Sequence, residues 1–353
     1  MFRMMTEPND QIPDDEPPSS LPPKFTVSVK GFADPEVAKA MGYAMGELVG
    51  ELGRYIDVST LDGITVAVDY DAALRELDRG IEGLRPLEKT NDEGLVGIAK
   101  APLVRRGDEV KTHMVFDAAY VYCLALEDQD AEAVRLAIAL VAHECAHVEE
   151  HAVRDRQFPG ILLNKRIEGY VQAYLQQFSE SFWCEYAPCC LAARFGRDQT
   201  DSYRESLASR LAPARDAARR AIKTYRTHGD LERVFQEVGY AVLEPLRMAS
   251  YLFGHLDGLA DGELPTEDEA FVSGIVTLIS QLRSLWDRRD RWDAEEDMWI
   301  LGETAFDMLR ECGLDVQPLP DGTAHINVPY TPDTMPDGVS PAELFALALR
   351  RRS

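Results

Sequence analysis

The sequence predicts an α+β chain, with a small N-terminal mixed sheet followed by a large helical region. Three observations lead there. Alternating apolar and polar residues mark short stretches between residues 61 and 116. Three- and four-residue apolar spacing dominates almost everything after Asp130. The chain has 353 residues and 45% hydrophobic content, enough to bury a sizeable core without crosslinks.

Taken in order, residues 1–24 carry six prolines, several acids and almost no large apolar residue after Met5. Such a segment buries too little surface to offset its ordering entropy, so it reads as a disordered acidic, Pro-rich tail. Val37, Met41, Met45, Leu48 and Leu52 recur at helical steps and predict an amphipathic helix over 35–55. Ile64, Val66 and Val68 share one face of a strand over 61–70, and a short helix follows at 72–77. Residues 95–104 and 109–116 read as two strands around the turn-prone Arg105-Arg106-Gly107-Asp108, with Val110, Thr112, Met114 and Phe116 on one face. Helices are expected over 131–153, 165–195, 201–227, 230–258, 266–289 and 293–312. Asp321-Gly322 predicts a hairpin across 315–329. Ser340-Pro341-Ala342-Glu343 is a capping box with proline at the first helical position, so a final helix starts there.

Charge narrows the function. The 61 acidic residues outnumber 37 basic ones, for a net charge of −24. A surface this negative repels phosphate backbones and anionic lipid, which argues against nucleic-acid and membrane partners. No apolar run approaches the roughly 20 residues that span a bilayer. The N-terminal residues lack the apolar core of a signal peptide. Cys123, Cys145, Cys184, Cys189, Cys190 and Cys312 form no C-x-x-C pair, so reduced thiols in a cytoplasmic protein are expected. The adjacent Cys189-Cys190 leaves a redox or metal pair as the alternative.

One stretch carries chemistry: His143-Glu144-Cys145-Ala146-His147, inside the helix predicted over 131–153. Histidines at i and i+4 lie one turn apart on one helix face, so both imidazoles reach a single metal ion. The glutamate beside the first histidine is close enough to take a proton from a water activated at that ion. Zinc suits two imidazoles plus a carboxylate with one open position. The bland alternative is a pair of satisfied core histidines beside a surface glutamate.

The third ligand is expected from the next helix. His151 lies about 12 Å along the axis from His143, too far for one straight helix to wrap all three histidines round one ion. It is read as supporting the site or facing solvent. Glu185 falls within about 60° of Phe178, Phe182, Cys189 and Ala192, on the apolar stripe. Glu180 falls about 140° away, among Gln176 and Gln177. A carboxylate on a buried stripe needs a charge partner, so Glu185 is preferred over Glu180 as ligand, with an ion pair to a residue such as Arg194 as the alternative. Pro188 is expected to kink or break that helix. Tyr186 is a possible transition-state stabiliser; Tyr170, Tyr174 and His255 are further candidates.

At these residues the chain resembles the His-Glu-x-x-His zinc peptidases, the zincins, in the branch whose third ligand is a glutamate on a following helix. The string His143-Glu144-x-x-His147-x-x-x-His151 is also similar to that of the ImmA/IrrE-like metallopeptidases, which cleave regulatory proteins. The resemblance covers residues 131–195 and the order of small sheet before active helix. It implies a zincin-like catalytic domain over 25–200, with the mainly helical 201–353 beyond it. It implies one zinc on His143, His147 and a glutamate, Glu144 as general base, and a peptide or protein substrate. It also implies an edge strand that pairs with an extended peptide, for which 109–116 is the candidate. The sequence departs from the ImmA/IrrE pattern around Glu185-Tyr186-Ala187-Pro188, where paired cysteines follow. Competing readings are a catalytically lapsed zincin-fold binding protein and an acidic helical protein-interaction module.

Overall fold

The computed structural model describes residues 17–89, 91–92, 95–126, 128, 130–260, 270–335, 340, 342–343 and 346. Strand β1 (Thr26–Lys30) leads into helix α1 (Pro35–Leu52), strand β2 (Leu61–Ala67) and helix α2 (Tyr70–Glu76). The short strands β3 (Asn91–Asp92), β4 (Leu95–Val96), β5 (Ala99–Lys100) and β6 (Leu103–Arg106) precede the long β7 (Glu109–Asp117). Helix α3 (Ala118–Val121) then leads to α4 (Ala131–Gln157), α5 (Tyr170–Ala192), α6 (Thr200–His228), α7 (Leu231–Gly258), α8 (Ala270–Trp286) and α9 (Trp299–Glu311). The hairpin β8 (Asp315–Pro318) and β9 (Ala324–Asn327) follows, as its turn residues predict. Ser340 and Glu343 form the expected capping box, while most of the stretch where a final helix is expected lies outside the described residues.

The main sheet is mixed. β1 and β2 run parallel, as do β2 and β7, while β5 and β6 lie in tandem and antiparallel along the other side of β7. Residues 99–106 keep one register against β7. Pro102 divides them, because it can accept a hydrogen bond from His113 N–H but has no N–H to return. The single strand expected over 95–104 therefore appears as short pieces. Gly107, at φ +65°, makes the tight turn into β7.

This arrangement overturns the expectation that 109–116 is an edge. β7 is interior, flanked by β2 and by the 99–106 segment that folds back on it. β1 is an element that the sequence reading missed. Residues 17–24, read as part of the tail, instead lie along α1: Ser19 and Ser20 donate to the carbonyls of Gly50 and Gly53, and Leu21 packs on the sheet core. Residues 1–16 lie outside the described residues.

Two cores meet along α4 and α5. In the first, Ile64, Val66, Met114 and Phe116 face Met41, Met45, Val49 of α1 and Val141, Cys145, Val148 of α4. The second joins α5 to α6–α9 and the hairpin. Helix α4 is thus covered on both sides, which explains why its second half buries charges. Glu150 accepts from the Trp183 indole at 3.0 Å, and Arg154 donates to Glu295 at 2.8 Å and Glu180 at 3.0 Å. Helix α7 approaches α5 closely because Gly254 and Gly258 lie at the contact; a Cβ on either would collide with the backbone carbonyls of Tyr186 and Cys190. Among the described residues, no helix is long and apolar enough to cross a membrane.

Candidate metal centre

Helix α4 starts cleanly because the Asp130 side chain accepts the N–H of Glu132. From there Val134, Ala137, Val141 and Cys145 anchor one face to the sheet core. That anchorage sets the helix rotation and turns His143 and His147 into a cleft of about 770 Å³. The cleft runs between the sheet edge at 97–102 and helices α4, α5 and α7, with Tyr203 of α6 also on its wall.

The two histidines point their Nε2 atoms at each other, 3.2 Å apart. Glu185 of α5 brings its Oε2 to 3.6 Å from His143 Nε2. Zinc–nitrogen bonds of about 2.0–2.1 Å at a tetrahedral angle would separate two nitrogens by about 3.3–3.4 Å, so the spacing fits one shared ion. The donors also fit in another way: Glu185 Oε2 and Glu144 Oε2 are buried without a hydrogen-bond partner. Buried carboxylate oxygens are stable there only with a proton or a cation beside them. His143, Glu144 and His147 form a group that could hold a metal ion.

The electrostatics agree. Burial disfavours charge on His143, but Cys189, Glu185 and Glu144 outweigh it and hold its pKa well above the ordinary value. His147, buried and beside His143, is pushed down to about 3, so it presents a neutral imidazole. Glu185 is held below its ordinary value despite burial, because His143, His147 and the Tyr251 hydroxyl favour its ionised form. Burial, reinforced by Glu185, raises Glu144 to about 7 against the opposing pull of His143 and Lys100. In the metal-free fold, His143 and Glu185 are thus held charged beside a neutral His147.

Helical phase separated Glu185 from Glu180 as expected. Glu180 is 42% exposed in its side chain, against 19% for Glu185, and pairs with Arg154 away from the cleft. Arg194, the alternative partner for Glu185, is exposed. Helix α5 runs on through Pro188 to Ala192 without a break. Cys189 lies with its Sγ 3.8 Å from His143 Nδ1, next to the imidazole rather than among the converging donors.

Tyr186 is not at the site. It is turned about 100° round the helix from Glu185, and its hydroxyl donates to Asp257 at 2.7 Å inside the helical core. Tyr170 and Tyr174 pack with Phe235 in an aromatic cluster, and His255 Nε2 lies 2.9 Å from the Asp198 carboxylate. His151 reaches the cleft wall, where its Nδ1 is held 2.9 Å from Thr112 Oγ1.

The sequence reading missed Tyr251 and Lys100. Tyr251 of α7 stacks on His143 at 6.0 Å and 16°, and its hydroxyl faces Glu185. Lys100 sits on the edge segment beside the cleft. The i+4 step from Arg247 to Tyr251 marks a helix face, but nothing in the sequence says which neighbour that face meets. Compared with known family models, curated proteins and solved structures, the chain matches none.

Proposed function

We propose that this protein is a zinc-dependent peptidase, a zincin of the glutamate-third-ligand type. The observation that carries the reading is that His147 Nε2 and Glu185 Oε2 both lie near His143 Nε2, at 3.2 Å and 3.6 Å, on the wall of an open cleft. His143, His147 and Glu185 would hold the ion, and two imidazoles with one carboxylate suit zinc. Zinc held there would supply polarisation of a carbonyl and a lowered pKa for water.

The chain's own residues supply the rest. Glu144, raised to about 7, accepts the proton of the attacking water and returns it to the leaving nitrogen. Tyr251 holds the Glu185 carboxylate and the His143 ring in place. The substrate backbone is received by the sheet edge at 97–102. Ile98 and Pro102 spend their carbonyls on β7, so alternation turns the backbone groups of Ala99 and Ala101 toward the cleft. An extended peptide adds there as a further strand.

The test is hydrolysis of a peptide mixture by protein of measured zinc content. The expected result is cleavage that a chelator stops and zinc restores, with His143→Ala losing both metal and cleavage. Zinc-loaded protein that leaves every peptide intact would leave the catalytically lapsed binding protein as the better reading.

A further inference from the structure

A carbonyl under attack by water needs a donor for the negative charge that gathers on its oxygen. With Tyr186 committed to Asp257, that donor has to come from the cleft wall. Most groups there are engaged: Tyr251 faces Glu185, Tyr203 faces Cys189, Arg247 is clamped on Glu244, and His151 is held by Thr112. Lys100 differs. It lies on β5 opposite Val115, and it lines the same cleft as His143 and Glu144. Its ammonium forms no ion pair or hydrogen bond among the described residues. It is half-buried, and its charge interacts with Glu144, Glu185 and Glu88. Strand β5 therefore places a cation on the wall of the cleft that holds the candidate base.

We propose that the Lys100 ammonium binds the scissile carbonyl oxygen of a peptide substrate and stabilises the oxyanion that forms on it. This rests on the peptidase reading above. In the step, water oxygen bonds to the carbonyl carbon, its proton passes to Glu144, and the carbonyl π pair moves onto the oxygen facing Lys100. Collapse re-forms the carbonyl and breaks the C–N bond, and the nitrogen takes the proton from Glu144. Atoms and charge balance without a further reactant. Lys100 hydrogen-bonds the developing charge more strongly than the neutral carbonyl, so its effect falls on kcat rather than KM.

The probe is a phosphinic peptide, tetrahedral and anionic like the species that Lys100 would stabilise. Calorimetric titration compares zinc-loaded wild type, Lys100→Met and Lys100→Arg, with zinc measured on each sample. Lys100→Met should weaken phosphinic-peptide binding and lower kcat by about 10²-fold. It should leave zinc content unchanged and shift KM for the peptide only a few-fold. Lys100→Arg, which keeps the charge, should restore most of the loss. Unaltered phosphinic binding in Lys100→Met, a loss confined to KM for acidic substrates, or lost zinc would each overturn the assignment. If zinc-loaded wild type binds no phosphinic peptide, the peptidase reading falls and the Lys100 assignment with it.

Discussion

Glu144→Gln removes one buried negative charge and one proton acceptor while keeping the size of the side chain. Its effect on stability follows from the burial that raises the carboxyl from 4.5 to about 7. A folded-state pKa raised in this way means that the fold prefers the protonated form. The cost is absent below pH 4.5, grows through pH 7 and is complete above it. At pH 8 the ionised carboxylate costs metal-free protein roughly 3 kcal/mol. For a chain of 353 residues, that corresponds to roughly 4 °C in Tm. Thermal unfolding in chelator should therefore show Glu144→Gln more stable than wild type at pH 8, with the two nearly equal at pH 4.5. Zinc-loaded mutant should keep its metal and lose about 10²–10⁴-fold in peptide turnover, the usual worth of a general base. Near-normal turnover with zinc bound would eliminate the proton-acceptor role. A mutant less stable than wild type at pH 8 would mean that the carboxylate has a partner in the fold, and lost zinc that it supports the site structurally.

Other outcomes follow from the same geometry. Glu185→Ala should weaken zinc affinity far more than Glu180→Ala in a competition titration against a chromogenic chelator, because Glu180 is spent on Arg154. Comparable losses in the two would remove Glu185 from the ligand set. Metal-free protein should lose stability as pH falls below about 6.5: His147 and His151 are each held at about 3 and His113 is also lowered, so the unfolded chain takes up protons that the fold refuses. His143, raised above its ordinary value, is protonated in both states below that pH and drops out of this window. Glu144 opposes the loss between about pH 7 and 4.5, so Glu144→Gln should show the steeper decline by urea titration. A flat profile from pH 6.5 to 4 would contradict the buried, neutral histidines.

Much of the site was legible because helix geometry is local. The four-residue step from His143 to His147 places both rings on one face of any helix, and the apolar stripe of α5 fixed the direction of Glu185. The same geometry should have removed Tyr186, which follows Glu185 in sequence and so cannot share its face. What stayed hidden depends on long-range packing. Tyr251 meets Glu185 because Gly254 and Gly258 let α7 lie against α5, a contact that no spacing announces. β7 has the alternation of a strand with a polar side. That pattern says nothing of its neighbours, and residues 99–106 fold back to cover it. β1 spans five residues next to a Pro-rich segment, too short for alternation to stand out. Its parallel pairing with β2 supplies the missing definition.

X-ray absorption at the zinc edge of the purified, zinc-reconstituted protein bears most directly on the proposed centre. The expected result is about one zinc per chain, with nitrogen and oxygen neighbours near 2.0–2.1 Å and two imidazole rings in the outer scattering. His143→Ala should abolish that signal. A sulfur shell near about 2.3 Å would instead place Cys189 or Cys184 on the metal. That result, or protein that takes up no zinc, would contradict the assignment of His143, His147 and Glu185.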